Sequence, residues 1–237
     1  MSEISSNYIH IQEKIQNACV KAGKKIDDVK LVVVTKKQPA WKVNEVLRAG
    51  AVHLGENYPE QLVQKIGEID PSFSPQWHMI GHIQSRKIKL IVEYYSMVHS
   101  LDNFDTAIKL NKACENYGKK MPVFIEVNIA GESSKYGIDA ALESQLDGVV
   151  SFVSKICDLR WLIPVGLMTM PPYTNQGESN RIYFRKCKEL ISYINQKLTL
   201  TDFCELSMGT SSDFEVAIEE GATYVRVGEA IMGPRIK

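Results

Sequence analysis

Apolar positions along the chain keep two periods in alternation. Short β-branched or apolar runs are followed, after a few polar residues, by longer stretches with apolar residues three and four apart. Helical spacing predicts a helix over 9–22, ahead of a first strand at 30–36. A helix over 41–49 closed by Gly50, a short strand at 52–54, a helix over 58–69 and a strand at 76–80 ending at Gly81 come next. The alternation continues with helix 85–94, strand 97–99, helix 102–117 stopped by Gly118, strand 122–129 and helix 139–156. Strand 161–167, interrupted by Pro164, leads to helix 178–198, strand 203–206, helix 214–220 stopped by Gly221, and a last strand at 224–227. The stretch 170–177, rich in Pro, Asn and Gly, reads as a long surface loop.

About eight strands alternating with about eight helices is the pattern of a parallel sheet with right-handed crossovers. The expected fold class is therefore α/β, a single (β/α)8 TIM-type barrel with an extra N-terminal helix, spanning 1–237 as one domain. An open doubly wound sheet is the competitor.

Composition narrows the function classes. The 237 residues are 44% hydrophobic and 24% charged, ordinary values for a globular chain able to bury a core without metals or disulfides. Formal net charge is zero and no basic run stands out, which argues against nucleic acid or an anionic membrane as the main partner. No secretory signal and no membrane-spanning apolar stretch is visible. Five scattered cysteines without a C-x-x-C pair read as reduced thiols, so the expected location is cytoplasmic. His78 and His82 are four apart, but Gly81 and the strand context argue against a helix presenting both; no metal is expected.

In a barrel, functional groups collect at the C-terminal ends of the strands. Lys36 follows Leu31-Val32-Val33-Val34-Thr35, Asn57 follows Leu54-Gly55-Glu56, and His82, Asn128 and Met168-Thr169 stand at later strand ends; Ser207 and Arg226 lie on the last two strands. Lys36 and Lys37 point to opposite faces of their strand, and periodicity does not choose which faces the centre. Leu206-Ser207-Met208-Gly209-Thr210-Ser211-Ser212 and Val225-Arg226-Val227-Gly228 resemble a phosphate cradle, with Gly209 and Gly228 admitting a ligand close to the backbone. Ser212 with Glu215 also matches a helix capping box. Arg226, inside an apolar strand, should meet an acid, a phosphate or a ring nitrogen; an ion pair with Glu205 or Glu126 is the structural alternative. Together these segments suggest one ligand held at two ends, its aldehyde on Lys36 and its phosphate in the glycine-rich loops, a description that pyridoxal phosphate fits.

With these residues in view, the chain resembles the pyridoxal phosphate homeostasis protein family, the YggS/PROSC group. The resemblance runs from about Ile11 to Gly233 through Val32-Val33-Val34-Thr35-Lys36, Gly55-Glu56-Asn57-Tyr58, Trp77-His78-Met79-Ile80-Gly81-His82-Ile83-Gln84, Val127-Asn128-Ile129-Ala130-Gly131-Glu132-Ser133-Ser134-Lys135-Tyr136-Gly137, Gly166-Leu167-Met168-Thr169-Met170, and the two glycine loops. It implies a barrel similar to the N-terminal domain of bacterial alanine racemases. Lys36 then matches the Schiff-base lysine, Arg226 the group facing the pyridine nitrogen, and Ser207 and Gly228 phosphate contacts; Asn57 lies beside the ring. Met168, Gly209 and Thr210 complete the expected cofactor-binding set.

Two departures are visible: Arg86-Lys87 where the family often has Asn-Lys, and Thr210 for a frequent methionine beside the phosphate. Racemases of this type use a second domain carrying a catalytic tyrosine, and no counterpart to it is expected here. The resemblance thus implies a monomeric, non-catalytic protein that stores or buffers pyridoxal phosphate, or delivers it to apo-enzymes. The alternatives are a residual amino-acid racemase or transaminase, with Tyr58, Tyr136 or Tyr173 as the second base, and a cofactor-free Schiff-base aldolase.

Overall fold

Eight short strands lie parallel and close on themselves. In the computed structural model, which describes residues 2–174 and 176–234, they are β1 (Lys30–Val34), β2 (His53–Glu56), β3 (Gln76–Met79), β4 (Met97–Leu101), β5 (Met121–Asn128), β7 (Leu162–Met168), β8 (Glu205–Ser207) and β9 (Tyr224–Val227). The hydrogen-bonded order is β4-β3-β2-β1-β9-β8-β7-β5, and a β4–β5 pairing completes the ring. A two-residue strand, β6 (Ile138–Asp139), adds to the outer end of β5. Each barrel strand is followed by a helix: α2 (Ala40–Arg48), α3 (Pro59–Ile66), α4 (Ile88–Tyr94), α5 (Phe104–Tyr117), α6 (Leu146–Cys157), α7 (Arg181–Leu198), α8 (Phe214–Glu219) and α9 (Glu229–Met232). α1 (Glu3–Lys21) precedes the barrel and packs on α2, α8 and α9. This is the expected (β/α)8 barrel with its extra N-terminal helix.

Local chemistry sets the boundaries. α1 begins before the apolar spacing is evident, because Ser2 caps it by accepting from the Ser5 N–H; Ile4, Tyr8, Ile11 and Ile15 then form one buried stripe. Asn103 caps α5 in the same way, and Gly118 ends it in the left-handed conformation. The helix expected over 139–156 starts only at Leu146. Residues 138–139 are drawn into the sheet beside Val127 and Asn128, and a 3-10 turn at Glu143–Gln145 intervenes. The Ser212–Glu215 capping box does not form: Asp213 is the residue before α8, and Glu215 pairs with Lys14 instead, at 2.6 Å.

Alternation splits the apolar residues between two regions. On β1, Leu31 and Val33 join the large core between barrel and helices, whereas Val32 faces inward with Phe124, Met168 and Tyr224. Barrels of this architecture usually fill their interior with branched apolar residues. Here that inner apolar cluster is small, and buried polar side chains from six strands occupy much of the remaining interior: His78, His99, Glu126, Ser207 and Arg226, with half-buried His53 below them.

Candidate functional site

A cavity of about 520 Å³ opens where β1, β2, β3, β7, β8 and β9 end. Lys36 reaches it because β1 keeps its alternation past Val34: Val34 and Lys36 both line the cavity, while Lys37 is exposed and turns away in the left-handed conformation at φ 57°. The Lys36/Lys37 ambiguity is thereby resolved.

The turn carrying Lys36 is held from beneath. Gln38 N–H donates to Thr35 O at 3.1 Å, closing the turn. Lys65, reaching in from α3, donates to Thr35 O and Gln38 O at 3.1 Å each and to Glu56 Oε1 at 2.5 Å. Thr35 Oγ1 donates to the same carboxylate oxygen at 2.7 Å. Glu56 is fully buried, so this ion pair is shielded from water and ties β1, β2 and α3 around the lysine.

Arg226 stands on the cavity wall although only 4% of it is exposed. Its Nη1 donates to Ser207 Oγ at 2.6 Å and its Nη2 to the Thr169 carbonyl at 2.9 Å. Neither Glu205 nor Glu126 forms an ion pair with it: Glu205 is 3.9 Å from Lys30, and among the described residues Arg226 has no carboxylate partner. Burial pushes its pKa down to about 10, against the opposing pull of Glu126 and Asp213, so it stays cationic at neutral pH. Glu126 is pushed up to about 7, by burial first and by Asp102 second. The fixed positive charge on the wall is thus answered by hydroxyl and carbonyl oxygens rather than by an anion.

The loop after β8 forms the third wall with Thr210, Ser211 and Ser212, joined by Gly228 after β9. Asp213 shapes it, accepting from Thr210 N and Oγ1 at 2.6 and 3.0 Å and from Asn180 Nδ2 at 2.7 Å. Asn180 also donates to Pro172 O, so the loop bearing Tyr173 is anchored to the same acid. Ser211 Oγ accepts from Gly228 N–H at 3.3 Å, linking the two glycine loops. Gly209 has φ 92°, and a Cβ there would lie 2.6 Å from the Ala217 methyl. That glycine is demanded by packing on α8 as well as by backbone conformation.

Of the eight expected cofactor residues, Lys36, Asn57, Thr210, Arg226 and Gly228 meet on this one cavity. Ser207 and Met168 are buried behind it, Ser207 against Arg226 and Met168 in the inner apolar cluster; Gly209 also lies behind the wall. His82 and Asn128 stand elsewhere. His82 stacks on Tyr136 with ring centroids 4.3 Å apart in a neighbouring pocket, and Asn128 braces the Gly131–Glu132 turn.

The structure gives tasks to residues that the sequence left without one: Gln38 on the wall, Lys65 and Glu56 beneath Lys36, and the imidazoles His53, His78 and His99 inside the barrel, of which His78 was weighed only as a metal ligand with His82. One signal for the imidazoles was present, since three successive strands each carry one histidine. The donor set suits a ligand with an electron-rich ring acceptor and an anionic end: an amine, a guanidinium without a carboxylate, and hydroxyls on a loop. Asn57 Oδ1 and Gln38 Oε1, buried without a partner among the described residues, are the kind of polar atoms a bound ligand satisfies. Pyridoxal phosphate fits these residues.

Comparison with known proteins agrees. The family model described as alanine racemase, N-terminal domain, matches residues 7–235. The chain is 35% identical to the pyridoxal phosphate homeostasis protein of Aquifex aeolicus over 225 residues, 95% of each chain. It is 34% identical to the protein of the same description in Vibrio cholerae, over 99% of this chain and 98% of that one. Among solved structures, PipY of Synechococcus elongatus PCC7942 with PLP bound superposes with a TM-score of 0.78 at 27% identity, covering 87% of this chain and 93% of PipY.

Proposed function

The chain belongs to the pyridoxal phosphate homeostasis protein family, on the barrel of the alanine racemase N-terminal domain, and from that premise we propose that it binds pyridoxal 5'-phosphate as a Schiff base on Lys36 and serves intracellular homeostasis of that cofactor without catalytic turnover. The observation that carries the reading is that Lys36, Arg226 and the hydroxyl-rich loop 210–212 converge on one cavity from three sides.

Each group has a task. Lys36 would supply the amine for the aldehyde, on a turn that Lys65 and Glu56 hold in place. Arg226 would face the ring nitrogen and, since a guanidinium keeps its proton, would leave that nitrogen unprotonated. Thr210, Ser211 and Gly228, which line the cavity together, would border the phosphate, and Asn57 would lie beside the ring. The Thr210 hydroxyl is committed to Asp213, so the departure from methionine leaves the loop braced by its own acid. Bound pyridoxal phosphate supplies an electrophilic carbon and an electron-withdrawing ring, and an unprotonated ring withdraws electrons less.

Turnover of an amino acid needs a second acid/base opposite the lysine. Tyr173 is the tyrosine on the cavity wall among the described residues, and at 82% exposure its ring lies largely in solvent. The reading is a monomeric, cytoplasmic protein that stores the cofactor or hands it to apo-enzymes. No described helix is long and apolar enough to cross a membrane, which is in keeping with it.

Incubation with pyridoxal phosphate followed by gel filtration should leave a protein with a retained visible absorption band. In deuterium oxide that protein should not exchange the α-proton of any amino acid. A colourless protein contradicts binding, and α-exchange contradicts the non-catalytic role in favour of a racemase or transaminase.

A further inference from the structure

Behind Arg226 a continuous chain of side-chain hydrogen bonds crosses the barrel interior. Ser207 Oγ lies 2.6 Å from Arg226 Nη1 and 2.8 Å from His99 Nδ1. His99 Nε2 lies 2.8 Å from His78 Nδ1, and His78 Nε2 lies 3.0 Å from His53 Nδ1. The five residues come from β8, β9, β4, β3 and β2, so the barrel closure alone brings them together. Ser207, His99, His78 and Arg226 are buried; His53, at the N-terminal end of β2, is half-buried. Phe124 and Tyr224 pack against His99 at ring distances of 4.5 and 5.6 Å and help keep water from it.

The direction of this chain follows from donor and acceptor capacity. A guanidinium only donates, so Ser207 Oγ accepts from Arg226. The fully buried hydroxyl must then place its own hydrogen, and His99 Nδ1 is the acceptor within reach. His99 with Nδ1 accepting carries its proton on Nε2 and donates to His78 Nδ1; His78 in turn donates from Nε2 to His53 Nδ1. The opposite direction would aim His99 Nδ1–H at an oxygen that already accepts from Arg226. The serine hydrogen would then be buried without a partner. Doubly protonated imidazoles are also disfavoured, since His78 lies between two other imidazoles and His99 lies between His78 and the Ser207–Arg226 pair.

We propose that His99, His78 and His53 act through Ser207 as positioning residues for Arg226, a one-directional hydrogen-bond chain of Nε2–H imidazoles that fixes the guanidinium plane so that its remaining N–H groups meet the ring nitrogen of the cofactor. The orienting role rests on the binding reading above; the tautomer assignment does not. Ser207 fixes one arm of the fork and the Thr169 carbonyl the other, so the arginine reaches the cavity with its orientation already set. The imidazoles take the place of the carboxylate that Arg226 lacks.

The direct test is 15N–1H correlation of the imidazoles in the apo-protein near neutral pH, which needs neither variant nor ligand. His53, His78 and His99 should each show an unprotonated Nδ1 and a protonated Nε2. An Nδ1–H tautomer or a doubly protonated ring at His78 or His99 overturns the assignment. The orienting role is read from pyridoxal phosphate binding by two variants. His99→Asn keeps a carbonyl oxygen for the Ser207 hydroxyl but loses the N–H to His78, and should bind about threefold more weakly than the parent. His99→Phe leaves that hydroxyl unpartnered and should bind about tenfold more weakly, with a shifted absorption maximum. Equal binding by the parent and both variants overturns the orienting role. A parent that binds no pyridoxal phosphate overturns both the proposed function and the orienting role, and the tautomer assignment is then judged on the apo-protein alone.

Discussion

A polar residue in an apolar strand is the signal that made Lys36 and Arg226 legible, and the structure explains why the same signal did not reach further. Each of His53, His78 and His99 sits in a strand of four or five residues, too short for alternation to assign a face without its neighbours. Ser207 was visible as a strand-end hydroxyl, but its contact with Arg226 and His99 depends on registry across three strands. Glu126 illustrates what burial does to a single residue. Its folded pKa is about 7 against an ordinary 4.5, so the folded state takes up a proton that the unfolded chain still refuses between those values. Its charge therefore weakens the fold above about pH 7, and that penalty fades as pH falls toward 4.5. Glu126→Gln should raise the free energy of urea unfolding on the order of 2–3 kcal/mol at about pH 8, with the gain mostly gone at about pH 5. A gain independent of pH would contradict this origin.

Among the elements, the eight barrel strands were legible because each is a compact apolar run between turn residues. Helix starts were less so. The apolar spacing of 139–156 was continuous, yet pairing with β5 captured its first residues, and a tertiary contact overrode local periodicity. Lys65 reads in sequence as an ordinary polar position of α3; only the fold turns it under the β1–α2 turn. Removing it alone leaves the Glu56 carboxylate buried without its cation, a loss of about 3–5 kcal/mol. Lys65→Met should accordingly lower the melting temperature of the apo-protein by about 10 °C. The double variant Glu56→Gln/Lys65→Met, which removes both charges, should recover most of that loss. If the double variant is no more stable than the single, the pair is not the brace described here.

At the scale of the whole molecule, closing the barrel turns separate polar residues into one interior network with its own pH signature. Burial holds His78 down at about 3 and His99 well below the ordinary 6.5. Above about pH 6.5 both are neutral, folded or unfolded, and contribute no slope. Below it the unfolded chain binds protons that the folded barrel refuses, so stability falls with pH at about 1.4 kcal/mol per pH unit for each histidine. Glu126 offsets part of this down to pH 4.5. Urea unfolding should show declining stability from about pH 6.5 downward, and His78→Gln should flatten the decline; an unchanged slope in that variant would place the acid sensitivity elsewhere. The same closure brings Lys36, Arg226 and the 210–212 loop to one cavity, and the central claim is that Lys36 holds the cofactor there. The measurement that tests it most directly is borohydride reduction of the protein loaded with pyridoxal phosphate, followed by peptide mapping. A single pyridoxyl adduct on Lys36, absent in Lys36→Ala and retained in Lys37→Ala, is the predicted result. An adduct on another lysine, or none, would contradict the account.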